Sequence, residues 1–203
     1  MTAKQKGTLY KLVLISMYVA LMVVMDVTPL GYFTTGLFSI TLMTIPVALG
    51  AAGTGPVGGA VLGFIFGLTS FLQAFGIGFL IDPSAATLFN TDPVAYTATC
   101  FIPRILAGTV SGVVFMLFEK KGKVGIPAFA ISAAVVPVLN TILFMGFYAT
   151  LYKNTVLGGA SVMAVILSAL TVNFAIELLV TVIAATAINK TVYHISKKLF
   201  SRA

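Results

Sequence analysis

The sequence predicts an all-α membrane protein of six transmembrane helices, and three observations carry this prediction. The chain has 203 residues, of which 59% are hydrophobic and only 8% are charged. Its apolar residues fall into six runs, and most of these are long enough to cross the roughly 30 Å hydrocarbon core as helices. Its basic residues cluster at the two ends of the chain and in the loop after the fourth run. We therefore expect one integral membrane domain over residues 1–203, in a multi-pass protein of a bacterial plasma membrane.

The six predicted spans follow one another along the whole chain. They are Thr8–Asp26, Ile40–Thr54, Pro56–Ala74, Val94–Phe118, Ile126–Leu151 and Ser161–Asn189. The second span is short and contains Pro46, which predicts a kinked or tilted helix. The basic N-terminal stretch leads directly into a full-length span without a small-residue cleavage site. We therefore expect no cleaved signal peptide.

The distribution of basic residues predicts the orientation of these spans. All but Arg104 and Lys153 of the twelve Lys and Arg residues lie in the N-terminal segment, the loop after the fourth span or the C-terminal tail. The positive-inside rule places these three segments in the cytoplasm, so both termini are predicted to be cytoplasmic. Topology thus accounts for the net charge of +7, which gives no support for nucleic-acid binding.

Several activities are excluded by what the sequence lacks. There is no GxxxxGK[ST] motif, so the chain is not expected to hydrolyse ATP by itself. The single histidine, His194, lies in the basic tail and the single cysteine is Cys100, so neither a metal cluster nor a Cys/His catalytic pair is expected. We predict no catalytic residue, no metal ligand and no cofactor, and therefore a protein that is not an enzyme.

Glycines recur at four-residue spacing in two of the spans. Gly59, Gly63 and Gly67 lie in the third span, and Gly108 and Gly112 in the fourth. Small residues on one helix face let two backbones approach closely in lipid. The pattern predicts tight packing inside the bundle, and a docking surface for another membrane protein is the alternative.

Arg104 is the most informative polar residue of the chain. It lies about ten residues into the fourth span, where an unpaired charge would be costly. At 1.5 Å per residue, Asn140 and Asn173 lie at about the same depth as Arg104, roughly 15–18 Å below the external surface. Glu177 lies one turn deeper, on the face of Asn173. These residues predict a water-accessible pocket for an anionic ligand.

The predicted pocket has an alternative interpretation, and further residues are expected to line or cover it. In the alternative interpretation, Arg104 and Glu177 form an internal ion pair, and the asparagines make hydrogen bonds between helices. Thr69 and Gln73, at the outer end of the third span, are predicted to line the pocket. The external segment Phe75–Asp92 carries aromatic residues that include Phe89. We expect it, like Val27–Ser39, to be either a lid over the bundle or an anchor in the lipid headgroups.

The stretch ATLFNTDPVAYTATCFIPRILAGTVSGVVF, followed by VVPVLNTILFMG, together with six short spans in about 200 residues, resembles a known family. The chain is similar to the substrate-binding S-components of energy-coupling-factor (ECF) vitamin transporters. The pair Pro103-Arg104 and the triplet Leu139-Asn140-Thr141 most resemble the pantothenate-specific members. A guanidinium can hold a carboxylate by two parallel hydrogen bonds. Pantothenate also carries an amide and hydroxyls, and folate is the alternative anionic vitamin.

The resemblance implies that vitamin binding and ATP hydrolysis are carried out by different subunits. The chain would bind the vitamin from outside, and a membrane coupling subunit with two cytoplasmic ATPase subunits would drive its delivery. The first helix of such proteins often carries an Ala-x-x-x-Ala pair for docking on the coupling subunit. Ser16 and Ala20 occupy the matching place here, and serine is still small enough for close helix approach.

Two other classes of protein remain as alternatives. A small ion-coupled secondary transporter would use Glu177 or Asp26 as its proton site. A structural membrane subunit would bind a protein partner and no vitamin.

Overall fold

The computed structural model describes residues 3–35, 38–79, 83–152 and 172–200, which form a bundle of helices with one small hairpin. The helices are α1 Ala3–Asp26, α2 Thr44–Thr54, α3 Pro56–Leu72, α4 Pro83–Thr91, α5 Pro93–Lys120, α6 Ile126–Leu151 and α7 Val172–Phe200. Strands β1 Tyr32–Thr35 and β2 Phe38–Thr41 pair antiparallel between α1 and α2. Within the described residues, α1, α3, α5, α6 and α7 are long and apolar enough to cross a membrane. The predicted helical membrane architecture is confirmed.

The second predicted span differs from the structure at its beginning. Ile40 pairs with Phe33 in the hairpin, so the predicted helix start at Ile40 is wrong. The segment is rich in aromatic and β-branched residues, which fit a strand better than a helix. Since α2 begins at Thr44, Pro46 lies in the first helical turn, where its missing N–H breaks no helical hydrogen bond. The kink predicted from Pro46 therefore has no cause. With 11 residues, α2 rises only about 16 Å.

The last predicted span also has a different end. The helix continues past the predicted span end at Asn189 to Phe200, while the predicted start at Ser161 lies outside the described residues. Hydropathy indicates where a chain leaves the lipid, whereas the backbone hydrogen bonds of a helix can extend beyond that point into water. Lysines near a helix C-terminus are also favoured by the helix dipole.

The glycines of the third and fourth spans bring α3 and α5 into backbone contact. A Cβ added at Gly59 would overlap the carbonyl of Gly108, and one at Gly63 would overlap the carbonyl of Arg104. A Cβ at Gly67 would lie 2.9 Å from the carbonyl oxygen of Cys100. The prediction of tight internal packing is confirmed, and this contact sets α3 directly against the backbone of Arg104.

The segment Phe75–Asp92, which the sequence predicted to be an external loop, contains regular structure in its described residues. A single 3-10 turn, Gln73–Phe75, follows α3, and α4 occupies most of the remaining segment. Asp92 caps α5, because its carboxylate accepts hydrogen bonds from the backbone N–H groups of Val94 at 3.0 Å and Ala95 at 2.9 Å. This cap fixes where the helix carrying Arg104 begins.

Candidate functional site

Arg104 lies in the first half of α5, and only 7% of its surface is exposed. Its guanidinium carbon lies over two aromatic rings, 4.9 Å from the centroid of Phe66 on α3 and 4.9 Å from the centroid of Phe144 on α6. Both distances are within the range of cation–π attraction. The two rings therefore flank the guanidinium from two different helices and restrict where it can move.

The hydrogen bonds of Arg104 leave part of its guanidinium available. Nη1 donates to the carbonyl oxygen of Thr99 at 3.0 Å and to that of Cys100 at 2.9 Å. Nε is buried and has no hydrogen-bond partner among the described residues. Because Nη1 is committed to α5 itself, Nε and Nη2 are the nitrogens that remain, and their N–H groups form two parallel donors along one edge. That edge has the geometry for a carboxylate.

Three of the other predicted site residues also have a buried polar atom without a hydrogen-bond partner among the described residues. These atoms are Oδ1 of Asn140, Nε2 of Gln73 and Oε1 of Glu177. The exposed fractions of the three residues are 8%, 9% and 6%, respectively. A buried polar atom without a partner is costly, so such atoms mark where a ligand or a water would bind. Asn140 precedes Phe144 by one helical turn and so faces the same side of α6.

The ion pair between Arg104 and Glu177, which the sequence left as an alternative, is absent from the described residues. Nε of Arg104 and Oε1 of Glu177 both lack hydrogen-bond partners there, although Arg104 acts electrostatically on the Glu177 carboxyl group. The backbone N–H of Thr41, at the end of the hairpin, hydrogen-bonds to Glu177. Glu177 thus holds the hairpin with one oxygen and leaves the other open.

Thr69 hydrogen-bonds to the hairpin, so its hydroxyl is not free in the predicted pocket. The hydroxyl of Tyr32 lies 3.2 Å from Oγ1 of Thr69 and 3.2 Å from Oγ of Ser70. Thr69 itself donates to the carbonyl of Phe66 at 2.9 Å, so it accepts from Tyr32. Burial raises the pKa of Tyr32, which keeps its hydroxyl protonated as a donor. The base of the hairpin is thereby bound to α3 as well as to α7.

Phe89 lies in an aromatic cluster at the outer ends of α3 and α5. Its ring centroid is 4.9 Å from that of Phe75, 5.9 Å from that of Phe71 and 5.9 Å from that of Tyr96. Tyr96 precedes Arg104 by eight residues, or about 12 Å along the helix. The guanidinium reaches back to the carbonyls of Thr99 and Cys100, so Phe89 packs about one helical turn beyond it, toward the N-terminus of α5.

Tyr152 anchors the end of α4. Its hydroxyl donates to the carbonyl oxygens of Leu88 at 3.2 Å and Asp92 at 3.3 Å. Burial raises the pKa of Tyr152 to about 12, so this donor is retained at neutral pH. The segment that carries Phe89 is thus fixed to α6 as well as to α5.

The remaining predicted residues lie apart from this cluster. Ser16 and Ala20 are exposed on the outer face of α1, among large exposed apolar side chains such as Met17 and Val13. Asn173 belongs to α7, but its side chain lies outside the described residues. In the described part of the chain, no group of three or more His, Cys, Asp or Glu residues is placed to hold a metal ion.

A cleft of about 510 Å³ lies toward the opposite end of the helices, and its lining includes Lys11, Gly55 and Tyr193. It is separate from Arg104 and from the side chains with unpartnered polar atoms.

Phe66, Phe144 and Thr99 were not predicted as site residues. One signal for Phe144 is its spacing of four residues from Asn140, which puts both on one helix face. A signal for Thr99 is its spacing of four residues before Pro103, which lacks the N–H that would otherwise bond to the Thr99 carbonyl. Nothing in the sequence marks Phe66, because its position depends on how α3 packs on α5.

Comparison with known proteins gives two findings. The family model described as "ECF transporter, substrate-specific component" matches residues 10–189. The pantothenic acid transporter PanT of Lactococcus lactis subsp. cremoris is 29% identical over 187 residues, covering 86% of this chain and 89% of that relative. The matched region includes α2 to α6 in full and most of α1 and α7.

Proposed function

Because this chain belongs to the family of substrate-specific components of ECF transporters, we propose that it captures pantothenate from outside the cell for import. The family consists of the substrate-binding parts of vitamin transporters, so the chain is a transport subunit in the membrane and not an enzyme. The identity of the vitamin is our proposal. It rests above all on the buried, unpartnered edge of Arg104.

The Nε–Nη2 edge of the Arg104 guanidinium indicates what kind of anionic group the ligand carries. A buried guanidinium that is flanked by rings and fixed through Nη1 cannot turn easily toward a ligand. Its Nε and Nη2 donors therefore favour a planar group with two acceptor oxygens in one plane. The carboxylate of pantothenate is such a group, and two charge-assisted hydrogen bonds would join it to Arg104.

The other buried unpartnered atoms of the predicted site match the rest of the same molecule in hydrogen-bonding type. Oδ1 of Asn140 and Oε1 of Glu177 accept hydrogen bonds, and pantothenate offers one amide N–H and two hydroxyls as donors. Nε2 of Gln73 donates, and the amide carbonyl of pantothenate accepts. The similarity to a relative named as a pantothenic acid transporter supports the same substrate.

Folate, the alternative anionic vitamin, fits this arrangement less well. A second carboxylate would need a second cation, and the one other Lys or Arg residue within a predicted span, Lys11, lies in the first turn of its span. The pteridine ring would also compete with Phe66 and Phe144 for packing next to the guanidinium.

We further propose that a membrane coupling subunit and two cytoplasmic ATPase subunits drive delivery of the bound vitamin. The sequence has no P-loop, so ATP hydrolysis has to come from partners. In this arrangement the predicted span Ile40–Thr54, which ends in α2, completes six membrane-crossing segments and both termini are cytoplasmic. The exposed small residues Ser16 and Ala20 on α1 form the surface for the coupling subunit.

Calorimetric titration of the purified protein with pantothenate and with folate tests the substrate. We expect pantothenate to bind, and Arg104→Lys to weaken binding by about tenfold because a lysine loses the two-pronged geometry. Arg104→Ala should weaken binding by roughly 2–5 kcal/mol, as for removing one partner of a buried charged pair. Arg202→Ala, which changes the other arginine of the chain, is the matched control.

Two results would contradict the proposal. If Arg104→Ala folds and retains wild-type affinity for pantothenate, the carboxylate is bound elsewhere. If the isolated chain transports a vitamin in liposomes without ATP or partners, the protein is a secondary transporter. Retention of a protein partner without binding of any vitamin would instead indicate a structural subunit.

A further inference from the structure

Pro103 lies inside α5, directly before Arg104, and is fully buried. In an α-helix each backbone N–H donates to the carbonyl four residues earlier. Proline has no N–H, so the carbonyl of Thr99 loses the partner that any other residue at position 103 would supply. A buried carbonyl without a partner is unfavourable.

Arg104 provides the missing donor. Its Nη1 donates to the Thr99 carbonyl oxygen at 3.0 Å, and also to the Cys100 carbonyl oxygen at 2.9 Å. Both bonds come from one nitrogen of a charged group, so both are charge-assisted. The side chain is thereby held against its own helix, one turn before its Cα atom.

This anchor decides which donors of Arg104 remain for a ligand. With Nη1 hydrogen-bonded to two carbonyls, the guanidinium cannot rotate about the Nε–Cζ bond without breaking these hydrogen bonds. The rings of Phe66 and Phe144 limit tilting. Nε has no partner among the described residues, and its hydrogen points along the same edge as that of Nη2.

We propose that Pro103 is a positioning residue of the binding site: by leaving the Thr99 carbonyl free, it fixes the Arg104 guanidinium with its Nε–Nη2 edge toward the ligand. The part of this inference that concerns ligand affinity rests on the proposed binding of a carboxylate by Arg104. The part that concerns the guanidinium itself does not need a ligand.

Pro103→Ala tests the inference because alanine restores the backbone N–H. The new N–H would compete with Nη1 for the Thr99 carbonyl and weaken the hold on the guanidinium. Pro137→Ala is the matched control, since Pro137 is also a buried proline inside a long helix. In the described residues no side chain hydrogen-bonds to the carbonyl of Ala133, which is the one that Pro137 leaves free.

The first measurement is nuclear magnetic resonance of the ligand-free protein with labelled arginine. The chain has two arginines, Arg104 and Arg202, so a background of Arg202→Lys leaves one set of guanidinium signals. We expect slow rotation of the Nη1 group in the parent and in Pro137→Ala, and rotation faster by about tenfold in Pro103→Ala, as for loss of one charge-assisted hydrogen bond. Equal rotation rates in all three proteins overturn the inference.

The second measurement is the dissociation constant for pantothenate. We expect Pro103→Ala to weaken binding by about tenfold in the parent, but by less than twofold when Arg104 is already lysine. Equal weakening in both backgrounds would mean that Pro103 acts by helix shape and would overturn the positioning role. If the parent does not bind pantothenate, the proposed substrate fails, and the rotation rates alone decide on Pro103.

Discussion

The hydroxyl of Tyr32 lies 3.2 Å from Oγ1 of Thr69 and so joins the hairpin after α1 to the helix that packs on Arg104. The same hydroxyl lies 3.2 Å from Oγ of Ser70, and Ser70 in turn offers its carbonyl to the hydroxyl of Tyr96 at 2.9 Å. Three elements at the outer end of the bundle are therefore connected through a few buried hydroxyls. The strand opposite Tyr32 ends at Thr41, which contacts Glu177.

From this connection we predict that Tyr32→Phe accelerates the release of bound pantothenate by roughly three- to tenfold, as expected for the loss of about 1 kcal/mol of hydrogen bonding in the closed state. Stopped-flow measurement of the off-rate checks it. Thr97→Val is the control, because the Thr97 hydroxyl is exposed and donates to the carbonyl of Pro93 in its own helix at 2.8 Å. If both variants release ligand at the parental rate, the hairpin does not retain the ligand.

Glu177 should contribute in two ways that substitution can separate. Glu177→Gln keeps an acceptor for the Thr41 N–H and for a ligand hydroxyl, so we expect pantothenate to bind no more than about tenfold more weakly. Glu177→Leu removes both acceptors and should weaken binding by about 2–3 kcal/mol. Titration calorimetry of both variants measures the difference. Parental affinity in the leucine variant would place the ligand away from α7.

Gly63→Ala should disturb the binding site by weakening the contact between α3 and α5. The added methyl group would overlap the carbonyl of Arg104, so α3 and α5 have to separate. We expect a loss of about 1–3 kcal/mol of stability and weaker pantothenate binding, because Phe66 moves with α3. Gly146→Ala is the control, since nothing lies within 4 Å of its added methyl group. A melting temperature unchanged by Gly63→Ala would contradict the packing argument.

Hydropathy was sufficient to predict the long helices, because crossing a bilayer imposes a minimum apolar length that can be read along the chain. It failed at Ile40, where an apolar strand and an apolar helix follow each other without a polar break. Depth along a helix also predicted that Arg104 and Asn140 lie near one level. The rotation of each helix about its axis is set by packing, so the contact of Phe66 with Arg104 could not be predicted from spacing.

The exposed small residues of α1 lead to a prediction about partners. Ser16→Leu or Ala20→Leu should prevent close helix approach to the coupling subunit while leaving pantothenate binding unchanged. ATP-dependent uptake by the reconstituted complex should therefore fall well below the parental rate. Val23→Leu, at another exposed position of α1, should have no effect. Normal uptake by both leucine variants would place the docking surface elsewhere.

The aromatic cluster above Arg104 allows the lid hypothesis to be tested against the membrane-anchor hypothesis. Phe89 contacts the rings of Phe71, Phe75 and Tyr96, and its side chain is only partly exposed. Phe79 belongs to the same external segment, but 54% of its surface is exposed. A lid depends on the inward ring, whereas an anchor in the lipid headgroups depends on the outward one.

We therefore predict that Phe89→Ala accelerates pantothenate release by roughly tenfold, whereas Phe79→Ala leaves the off-rate unchanged. A lid acts mainly on the off-rate, because it has to open before the ligand leaves and is already open when the ligand enters. Alanine is preferred over glycine here, since residue 89 lies inside α4 and glycine would also destabilise the helix. Rapid-mixing measurements in nanodiscs give both rates. Equal release rates for the two variants and the parent would leave this segment as an interfacial anchor.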